Sequence, residues 1–479
     1  MMPYITKSLK LNLLSKIRAH KSYYRKFIQK QKKNSSLNKI VLLIVTAILF
    51  GFVIRINAQN GFRFQKKSKS KQRVSFKLIN NLIVIPVEVN GKTLSFILDT
   101  GANKTIIFNL SKNDSIAVLN PKKIILKGLG GGASVDAVLS ENNRIHIKNI
   151  FTDNASIYVI LKDVFDFSSK MGTTIHGIIG YNLLKNFTIK INYSAEEITF
   201  YNPKKFRLKK CRKCEVLPLQ FHRKKPYIDV QVQLDTVYST FTNVKMLLDS
   251  GGSDALWLFE NSKKEIKTPK KFFNDILGEG LSGIIYGNRS RIPGLKIGDF
   301  EIKNPTVSFL DTLSTRLARR FEQRNGSLGG GALKRFTVWL DYPNKQIMFK
   351  KNKFFKAPFN YNMSGLDIMY NGKQLIIEET QDISNYKLSE KNSVTFFTNF
   401  SYKFKPSYKI KTVVKNSNAD KAGLKAGDLI IRINRKSAYY YKLKDIVNEF
   451  SKKVNKKIQL KIKRDGIEMT FKFRLEKRI

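Results

Sequence analysis

The sequence predicts a mainly β protein in which two homologous lobes precede a smaller β-rich domain with short helices. The chain has 479 residues, which at roughly 150 residues per domain is enough for about three domains. Strand-like apolar runs separated by turn residues continue from about residue 76 to residue 350. Within that region one short motif and its downstream spacing occur twice. We therefore expect two copies of one β unit.

The composition excludes several classes of protein. Hydrophobic residues make up 42% of the chain and aromatic residues 11%, which supplies real cores and excludes wholesale disorder. Two cysteines cannot staple a disulfide-rich scaffold, and four scattered histidines do not suggest a metal centre. The glycine-rich loop at 128–133 fits a loose dinucleotide pattern, but no long helical run follows it. We therefore expect neither a metal nor a cofactor.

The chain is strongly basic, which raises the question of nucleic-acid binding. Lys and Arg number 88 against 36 Asp and Glu, for a formal charge of +52. Twelve of these cations and no acid fall within residues 1–58, so the remainder, with 76 basic and 36 acidic residues, carries +40. The cations are spread over all predicted domains without a single basic motif. We expect no specific nucleic acid as a partner, only the counterion release that any basic chain shows.

The N-terminus reads as a targeting segment. Residues 1–39 hold eleven Lys and Arg and no acid, and an apolar run follows at 40–54. As a helix this run would reach about 22 Å, short of a hydrocarbon core of about 30 Å. Residues 1–58 are therefore predicted to be a signal peptide cleaved near Ala58, or a retained membrane anchor, with a buried core helix as the alternative. The first two place the rest of the chain in the periplasm or cell envelope, after a polar linker at 59–75.

The internal repeat defines the lobes. Leu98-Asp99-Thr100-Gly101 recurs as Leu248-Asp249-Ser250-Gly251, and four later landmarks recur at the same distance from each Asp to within one residue. These landmarks are Gly128 and Gly278, Ile147 and Ile297, Gly177 and Gly326, and Ile191 and Leu340. The spacing predicts lobe 1 at 76–202 and lobe 2 at 223–350, joined by an interlobe linker at 203–222.

The residue types of the repeated motif suit acid–base chemistry. Asp has poor β propensity, so its place at the end of an apolar strand needs a reason. The following Gly permits a tight turn that exposes the carboxylate, and the hydroxyl of Thr100 or Ser250 can hydrogen-bond across to the other motif. Two lobes related by a pseudo-two-fold axis would bring Asp99 and Asp249 face to face, where they share one proton. One carboxylate can then deprotonate a water while the other protonates a carbonyl oxygen.

The paired Asp-Thr/Ser-Gly motifs, with Gly177-Ile178-Ile179-Gly180 downstream, resemble the retropepsin/pepsin-like aspartic proteases. The resemblance implies a tandem, two-lobed acid-protease fold in which one chain suffices for catalysis. It implies an aspartic endopeptidase acting on polypeptide substrates, with Asp99 and Asp249 as catalytic residues. The residues supporting this dyad would be Thr100, Gly101, Ser250 and Gly251. Residues of the substrate flaps would be Gly128, Gly130, Gly131, Gly278, Gly280 and Tyr286.

Two features depart from that family pattern. Gly252 stands where Ala or Ser is usual, and Leu328-Gly329-Gly330-Gly331 is looser than its counterpart Ile179-Gly180. A catalytically inactive double-β scaffold that, with the C-terminal domain, captures exported polypeptides is therefore kept as the alternative function.

The C-terminal segment, 351–479, is predicted to be a separate domain. Its run Ala-Gly-Leu-Lys-Ala-Gly-Asp at 422–428 resembles bacterial PDZ domains. The resemblance implies binding of peptide C-termini by strand addition, with the terminal carboxylate held by a loop at Ser364, Gly365 and Leu366. A poorly patterned stretch at 378–408 separates that loop from the rest of the motif. The alternative is a PDZ fold that only packs on the protease.

Cys211 and Cys214 lie in the interlobe linker. Outside the cytoplasm they are predicted to form a small local disulfide, with two free thiols as the alternative.

Overall fold

The computed structural model describes residues 61–479 except 112–114, 129–131, 133, 161–166, 208–210, 237–239 and 389–390. For residues 167, 279, 380–388 and 391–397 it describes the backbone alone. The predicted signal peptide or anchor lies outside the described residues. So do the flap residues Gly130 and Gly131.

Lobe 1 is built from twelve strands and two short helices in the described part of the chain. They are β1 Arg63–Phe64, β2 Lys71–Ser75, β3 Lys77–Ile79, β4 Leu82–Val89, β5 Lys92–Leu98, β6 Thr105–Ile107, β7 Lys122–Leu126, β8 Val135–Ile147, β9 Ile150–Ile160, α1 Phe167–Met171, β10 Gly177–Ile179, α2 Tyr181–Leu184, β11 Thr188–Asn192 and β12 Glu197–Tyr201. The β4–β5 hairpin turns at Asn90-Gly91, as the sequence predicts. Both turn residues have positive φ, 48° and 86°, which suits Asn and Gly in such a turn.

Lobe 2 follows in similar order. Its elements, with those of the preceding linker, are β13 Cys214–Pro218, β14 Gln220–His222, β15 Lys225–Gln233, β16 Phe241–Asp249, β17 Leu256–Phe259, β18 Phe273–Gly280, β19 Gly283–Arg291, β20 Gly294–Ile297, β21 Phe300–Lys303, β22 Thr306–Leu310, α3 Thr312–Thr315, a 3₁₀ turn at Ala318–Arg320, β23 Arg324–Gly329, α4 Gly330–Leu333, β24 Phe336–Asp341 and β25 Gln346–Lys351. Two of these strands, β13 and β14, lie within the segment predicted to be a linker.

The two lobes repeat one topology. In lobe 1, β10 runs parallel to β5 and antiparallel to β6, and β6 runs parallel to β9. In lobe 2, β23 has the same relation to β16 and β17, and β17 runs parallel to β22. The sequence repeat is therefore a structural repeat.

A six-stranded sheet joins the lobes. Its central pair is β11 of lobe 1 and β24 of lobe 2, antiparallel from Thr188 opposite Asp341 to Asn192 opposite Thr337. These strands begin at equivalent landmarks of the repeat, so each copy contributes the same strand to the junction. One hydrophobic core, which includes Phe96, Ile191, Leu248 and Leu340, continues through both lobes.

The C-terminal domain has its own sheet and core. Its elements are β26 Leu366–Leu388, β27 Lys391–Val413, α5 Asn418–Lys421, β28 Leu429–Ile433, β29 Lys436–Ser437, a 3₁₀ turn at Ala438–Tyr440, α6 Leu443–Glu449, β30 Lys457–Arg464 and β31 Ile467–Arg474. The predicted hairpin at Asp465-Gly466 joins β30 to β31. The poorly patterned stretch at 378–408 is the outer part of a long hairpin formed by β26 and β27.

The mainly β fold with an acid-protease-like body and a C-terminal β-rich domain is confirmed. Across the ranges that the structure describes, no helix combines the length and the apolar character needed to cross a membrane.

Candidate active site

The strands of each lobe deliver one Asp to the same place. Asp99 follows directly after β5, and its amide donates to the carbonyl of Ile179 in β10 at 2.9 Å. Asp249 is the last residue of β16 and lies opposite Gly329 of β23. Both carboxylates are thus presented at the end of a strand supported by a parallel neighbour.

Glycine permits the close packing under each motif. A Cβ added to Gly180 would lie 2.2 Å from the Asp99 carbonyl oxygen, and one added to Gly329 would lie 2.3 Å from that of Asp254. The looser second segment is equally constrained, because a Cβ on Gly330 would lie 2.2 Å from the Asn81 carbonyl oxygen. The extra glycines reflect tight packing, and helix α4 follows them just as α2 follows Gly180.

Reciprocal hydrogen bonds tie the two motifs together. The Thr100 amide donates to the Ser250 hydroxyl at 3.0 Å, and the Ser250 amide donates to the Thr100 hydroxyl at 2.9 Å. Each hydroxyl also donates across the junction, Thr100 Oγ1 to the Leu248 carbonyl at 2.6 Å and Ser250 Oγ to the Leu98 carbonyl at 2.7 Å. Both side chains are only 1% exposed. Because these bonds are buried, they hold the two turns in a fixed relation.

The carboxyl groups of Asp99 and Asp249 meet at this junction and share a hydrogen bond. The Gly101 amide donates to Asp99 Oδ1 at 2.7 Å, and the Gly251 amide donates to Asp249 Oδ1 at 3.1 Å. A Cβ on Gly101 would lie 3.2 Å from a carboxylate oxygen of each Asp. All four residues predicted to support the pair therefore surround it.

Burial and the neighbouring carboxylate set the proton affinity of the pair. Burial, reinforced by the charge of Asp249 and only partly offset by the Gly101 amide, raises the pKa of Asp99 to about 7. An ordinary Asp would have lost its proton well below that pH. The pair therefore holds one proton under mildly acidic conditions, as two carboxyl groups at hydrogen-bonding distance are expected to.

Two buried cations near the pair were missed by sequence reasoning. Lys225, at the start of β15, acts electrostatically on both Asp99 and Asp249, and Arg324, at the start of β23, acts on Asp249. Burial lowers the pKa of Lys225 below its usual range, with a further decrease from Arg324. No motif marks either residue, because each lies far in sequence from the Asp that it influences.

The predicted flaps meet at their tips. In lobe 1, β7 and β8 form a hairpin whose tip includes Gly128, and in lobe 2 β18 and β19 turn at residues 281–282. The Gly128 amide donates to Ser282 Oγ at 3.2 Å, and the Gly132 amide donates to the Ser282 carbonyl at 2.6 Å. A Cβ on Gly128 would lie 2.7 Å from the Leu281 Cβ. The contact depends on Leu281 and Ser282, which were not predicted, although Gly280 and Gly283 bracket them as a hairpin turn.

The other predicted flap residues lie on the lobe 2 hairpin. Gly278 and Gly280 belong to β18, with a bulge between Ile276 and Gly278. Tyr286 lies on β19, paired with Ile276, and is 57% exposed.

The predicted peptide-binding loop of the C-terminal domain is a tight turn. Gly365 has φ of +76°, and its carbonyl accepts from the Val414 amide at 2.8 Å, while the buried Ser364 hydroxyl accepts from the Leu366 amide at 3.0 Å. The Met363 amide donates to the Phe450 carbonyl at 2.9 Å, which joins the loop to the end of α6. The loop therefore opens onto the groove between β26 and α6, where β26 is the edge strand.

Lobe 1 contacts the same groove. Helix α1 lies against both β26 and α6. At the residue after α1, Gly172, an added Cβ would lie 2.8 Å from the Leu443 Cβ at the start of α6. The groove is thus bounded by the protease body at the end remote from the Ser364 loop.

A cavity of about 620 Å³ lies elsewhere, at the junction of lobe 2 and the C-terminal domain. Arg335, Tyr361 and Lys453 are among its lining residues, which include none of either Asp motif. The candidate site is therefore placed at the Asp pair. Cys211 and Cys214 are joined by a disulfide next to β13.

Comparisons with known proteins divide the chain in the same way. Residues 85–183 match a family model for aspartyl protease, and residues 409–464 match one for the PDZ domain. The chain carries an aspartyl protease domain and a C-terminal PDZ domain. No curated protein matches this sequence. Among solved structures, the chain is similar to the aspartic proteinase from Irpex lacteus, with 14% identity, a TM-score of 0.41, and coverage of 60% of this chain and 99% of that one.

The two family matches stop short of parts of the site. The aspartyl protease match includes Asp99 but ends before lobe 2, so Asp249 is related to it through the internal repeat. The PDZ match begins within β27, so β26 and the loop at Ser364 lie before it. Strand pairing between β26 and β27 nevertheless places that loop in the PDZ sheet.

Proposed function

We propose that the chain is an exported aspartic endopeptidase in which Asp99 and Asp249 activate a water for hydrolysis of a peptide bond. The observation that carries this proposal is the hydrogen-bonded carboxyl pair, one Asp from each lobe, clamped by the reciprocal Thr100 and Ser250 contacts. Structural stability alone gives no reason to bury two carboxyl groups against each other, because their mutual repulsion is costly.

The chemistry follows from one proton shared by two carboxyl groups. The charged carboxylate takes a proton from a water, whose oxygen attacks the carbonyl carbon of the scissile peptide bond. The protonated carboxyl donates its proton to the carbonyl oxygen, which produces a tetrahedral diol without a covalent enzyme intermediate. When the diol collapses, the C–N bond breaks, the nitrogen takes up a proton, and a carboxylic acid and an amine are released. The flap contact between Gly128 and Ser282 would cover the peptide during this step.

The decisive experiment is cleavage of an unfolded protein by the full chain, compared with Asp99→Asn and Asp249→Asn. Each substitution removes one half of the proton relay, so each should lower turnover by at least about a hundredfold. Asp299→Asn is the matched control, since Asp299 is exposed in the turn between β20 and β21. Turnover that survives both active-site substitutions would exclude this mechanism. Peptide binding by the unsubstituted chain without any turnover would support the non-catalytic capture module instead.

We further propose that the PDZ domain binds peptide C-termini in the groove between β26 and α6. Support comes from the open edge of β26 and from the tight loop at Gly365, whose neighbouring amides can hold a carboxylate. A peptide with a free C-terminus should bind more tightly than its C-terminally amidated form. Equal binding of the two forms would favour a PDZ domain that only packs on the protease.

Export is supported by the basic and apolar pattern of residues 1–58 and by the disulfide, since disulfides persist in oxidising compartments. N-terminal sequencing of the protein recovered from the cell envelope would show whether the chain begins near Gln59, as after signal cleavage, or keeps its anchor. Recovery from the cytosol alone would contradict export.

A further inference from the structure

The PDZ domain carries a projecting two-stranded ribbon, defined here as residues 373–388 of β26 and 391–406 of β27. Beyond a register shift between Tyr370 and Lys373, the two arms pair residue by residue from Lys373 opposite Pro406 to Leu388 opposite Lys391. Of the strands that the structure describes, β28 pairs with β27 only at Lys409, at the base of the ribbon. At about 3.3 Å per residue the arms reach roughly 50 Å.

One face of the ribbon is apolar and exposed. Cross-strand register places Leu375 opposite Phe404, Ile377 opposite Tyr402, and Glu379 opposite Phe400. Because side chains alternate along a strand, these residues share one face. The apolar face is defined by Leu375, Ile377, Phe400, Tyr402 and Phe404, which are 54%, 56%, 58%, 66% and 70% exposed. Soluble proteins seldom leave such a contiguous group of large apolar side chains in water without a partner for it.

The opposite face is polar and already partnered. Lys403 Nζ lies 2.6 Å from a carboxylate oxygen of Glu378, and Lys405 Nζ lies 3.1 Å from the other. Lys405 also lies 5.7 Å from the ring centre of Tyr440, on the 3₁₀ turn that packs against β27. The ribbon is therefore amphipathic, with its polar face toward the domain and its apolar face away from it.

Charge decides which partner suits the apolar face. A second copy of this chain would bring a formal charge of +52 toward another of +52, which opposes self-association. An anionic bilayer attracts the same charge, and each cation near its surface contributes about 1 kcal/mol. Phe and Tyr are also the side chains that settle at a lipid headgroup boundary, where a ring is buried while a hydroxyl stays hydrated. Lys373, exposed at the base of the ribbon, can reach the headgroups on its long stem.

We propose that the apolar face of the ribbon is a docking surface for an anionic lipid bilayer. The ribbon lies along the headgroup boundary with its five apolar side chains inserted and its Glu378–Lys403 face in water. This surface is separate from the Asp pair, so the proposal stands independently of proteolytic activity.

The test is hydrogen exchange of the full chain with vesicles of mixed phosphatidylglycerol and phosphatidylcholine, compared with vesicles of phosphatidylcholine alone. In a two-stranded ribbon the outward amides have no partner strand and exchange quickly, so burial at a membrane slows them. We expect exchange in 373–379 and 398–405 to slow by at least about tenfold on the anionic vesicles only. Since exchange is read at the ribbon itself, attachment through residues 40–54 does not mimic the result.

A triple variant, F400S/Y402S/F404S, should abolish this protection. Its matched control, I125S/L313S/I467S, replaces three equally exposed apolar side chains in other elements and should keep it. Three outcomes would overturn the proposal. They are unchanged exchange on anionic vesicles, equal protection on both kinds of vesicle, and protection without vesicles that rises with protein concentration, which would assign the surface to a second copy of the chain.

Discussion

The Thr100 hydroxyl accepts a hydrogen bond from the Ser250 amide at 2.9 Å, and the Ser250 hydroxyl accepts one from the Thr100 amide at 3.0 Å. Two residues 150 positions apart thus satisfy each other's backbone inside the molecule. The exchange is symmetrical because the two lobes repeat one topology, and it aligns the Asp that precedes each residue. The positions of both carboxyl groups therefore depend on contacts between lobes.

The first prediction concerns this interlock. Thr100→Val leaves the Ser250 amide and the Leu248 carbonyl without partners, and Ser250→Ala does the same to the Thr100 amide and the Leu98 carbonyl. Each substitution should lower the free energy of unfolding by about 1–3 kcal/mol, measured by chemical denaturation. The double variant should cost clearly less than the sum, since both substitutions damage one network. Strict additivity would show that the two halves of the interlock act separately.

The second prediction contrasts adjacent glycines. A Cβ on Gly251 would lie 2.3 Å from Asp99 Cγ, whereas one on Gly252 would find ordinary contacts beginning at 3.5 Å from Asp249 Cγ. Gly251→Ala should displace the Asp99 carboxyl and reduce turnover at least about a hundredfold, because misplacing a reacting group by about 1 Å is that costly. Gly252→Ala should retain activity. Equal activity of the two variants would contradict the placement of Asp99 against Gly251.

The third prediction follows from the protonation of Asp99. Its pKa rises from 3.8 to about 7 on folding, so between these values the folded chain holds a proton that the unfolded chain has lost. Stability contributed by this group therefore falls as pH rises, by about 1.4 kcal/mol per pH unit in that window. Asp99→Asn cannot titrate, so its free energy of unfolding relative to the wild type should increase from about pH 4 to pH 7 and then level off. A difference that stays flat over this range would refute the raised pKa.

The fourth prediction concerns the buried cation Lys225. If the shared proton is needed for turnover, activity should fall as pH rises through about 7. The charge of Lys225 lowers the pKa of Asp99, so Lys225→Met should raise that pKa and move the alkaline limb of the pH–rate profile upward, by up to about one pH unit. Lys224→Met is the matched control, because the neighbouring Lys224 is exposed. A limb that moves downward, or moves equally in the control, would contradict this influence.

The sequence by itself determined the repeat and its consequences for topology. Asp99 and Asp249 are each preceded by an apolar strand and followed by equally spaced landmarks, so two lobes of the same order could be predicted. The hairpins at Asn90-Gly91 and Asp465-Gly466 could also be predicted, because a two-residue turn needs positive φ at both positions and that preference is local. These features are visible because strand periodicity and turn chemistry act over a few residues.

Only the tertiary structure decided which distant groups surround the Asp pair and where apolar surface remains exposed. Lys225 and Arg324 influence the carboxyl groups, and Ser282 meets Gly128, through folding that brings separate strands together. The ribbon at 373–406 escaped prediction because two strands without a core beneath them impose little hydrophobic alternation on the sequence. Local preferences write the elements into the chain, whereas proton affinity and exposed surface arise from Coulomb and burial effects that depend on distances in space.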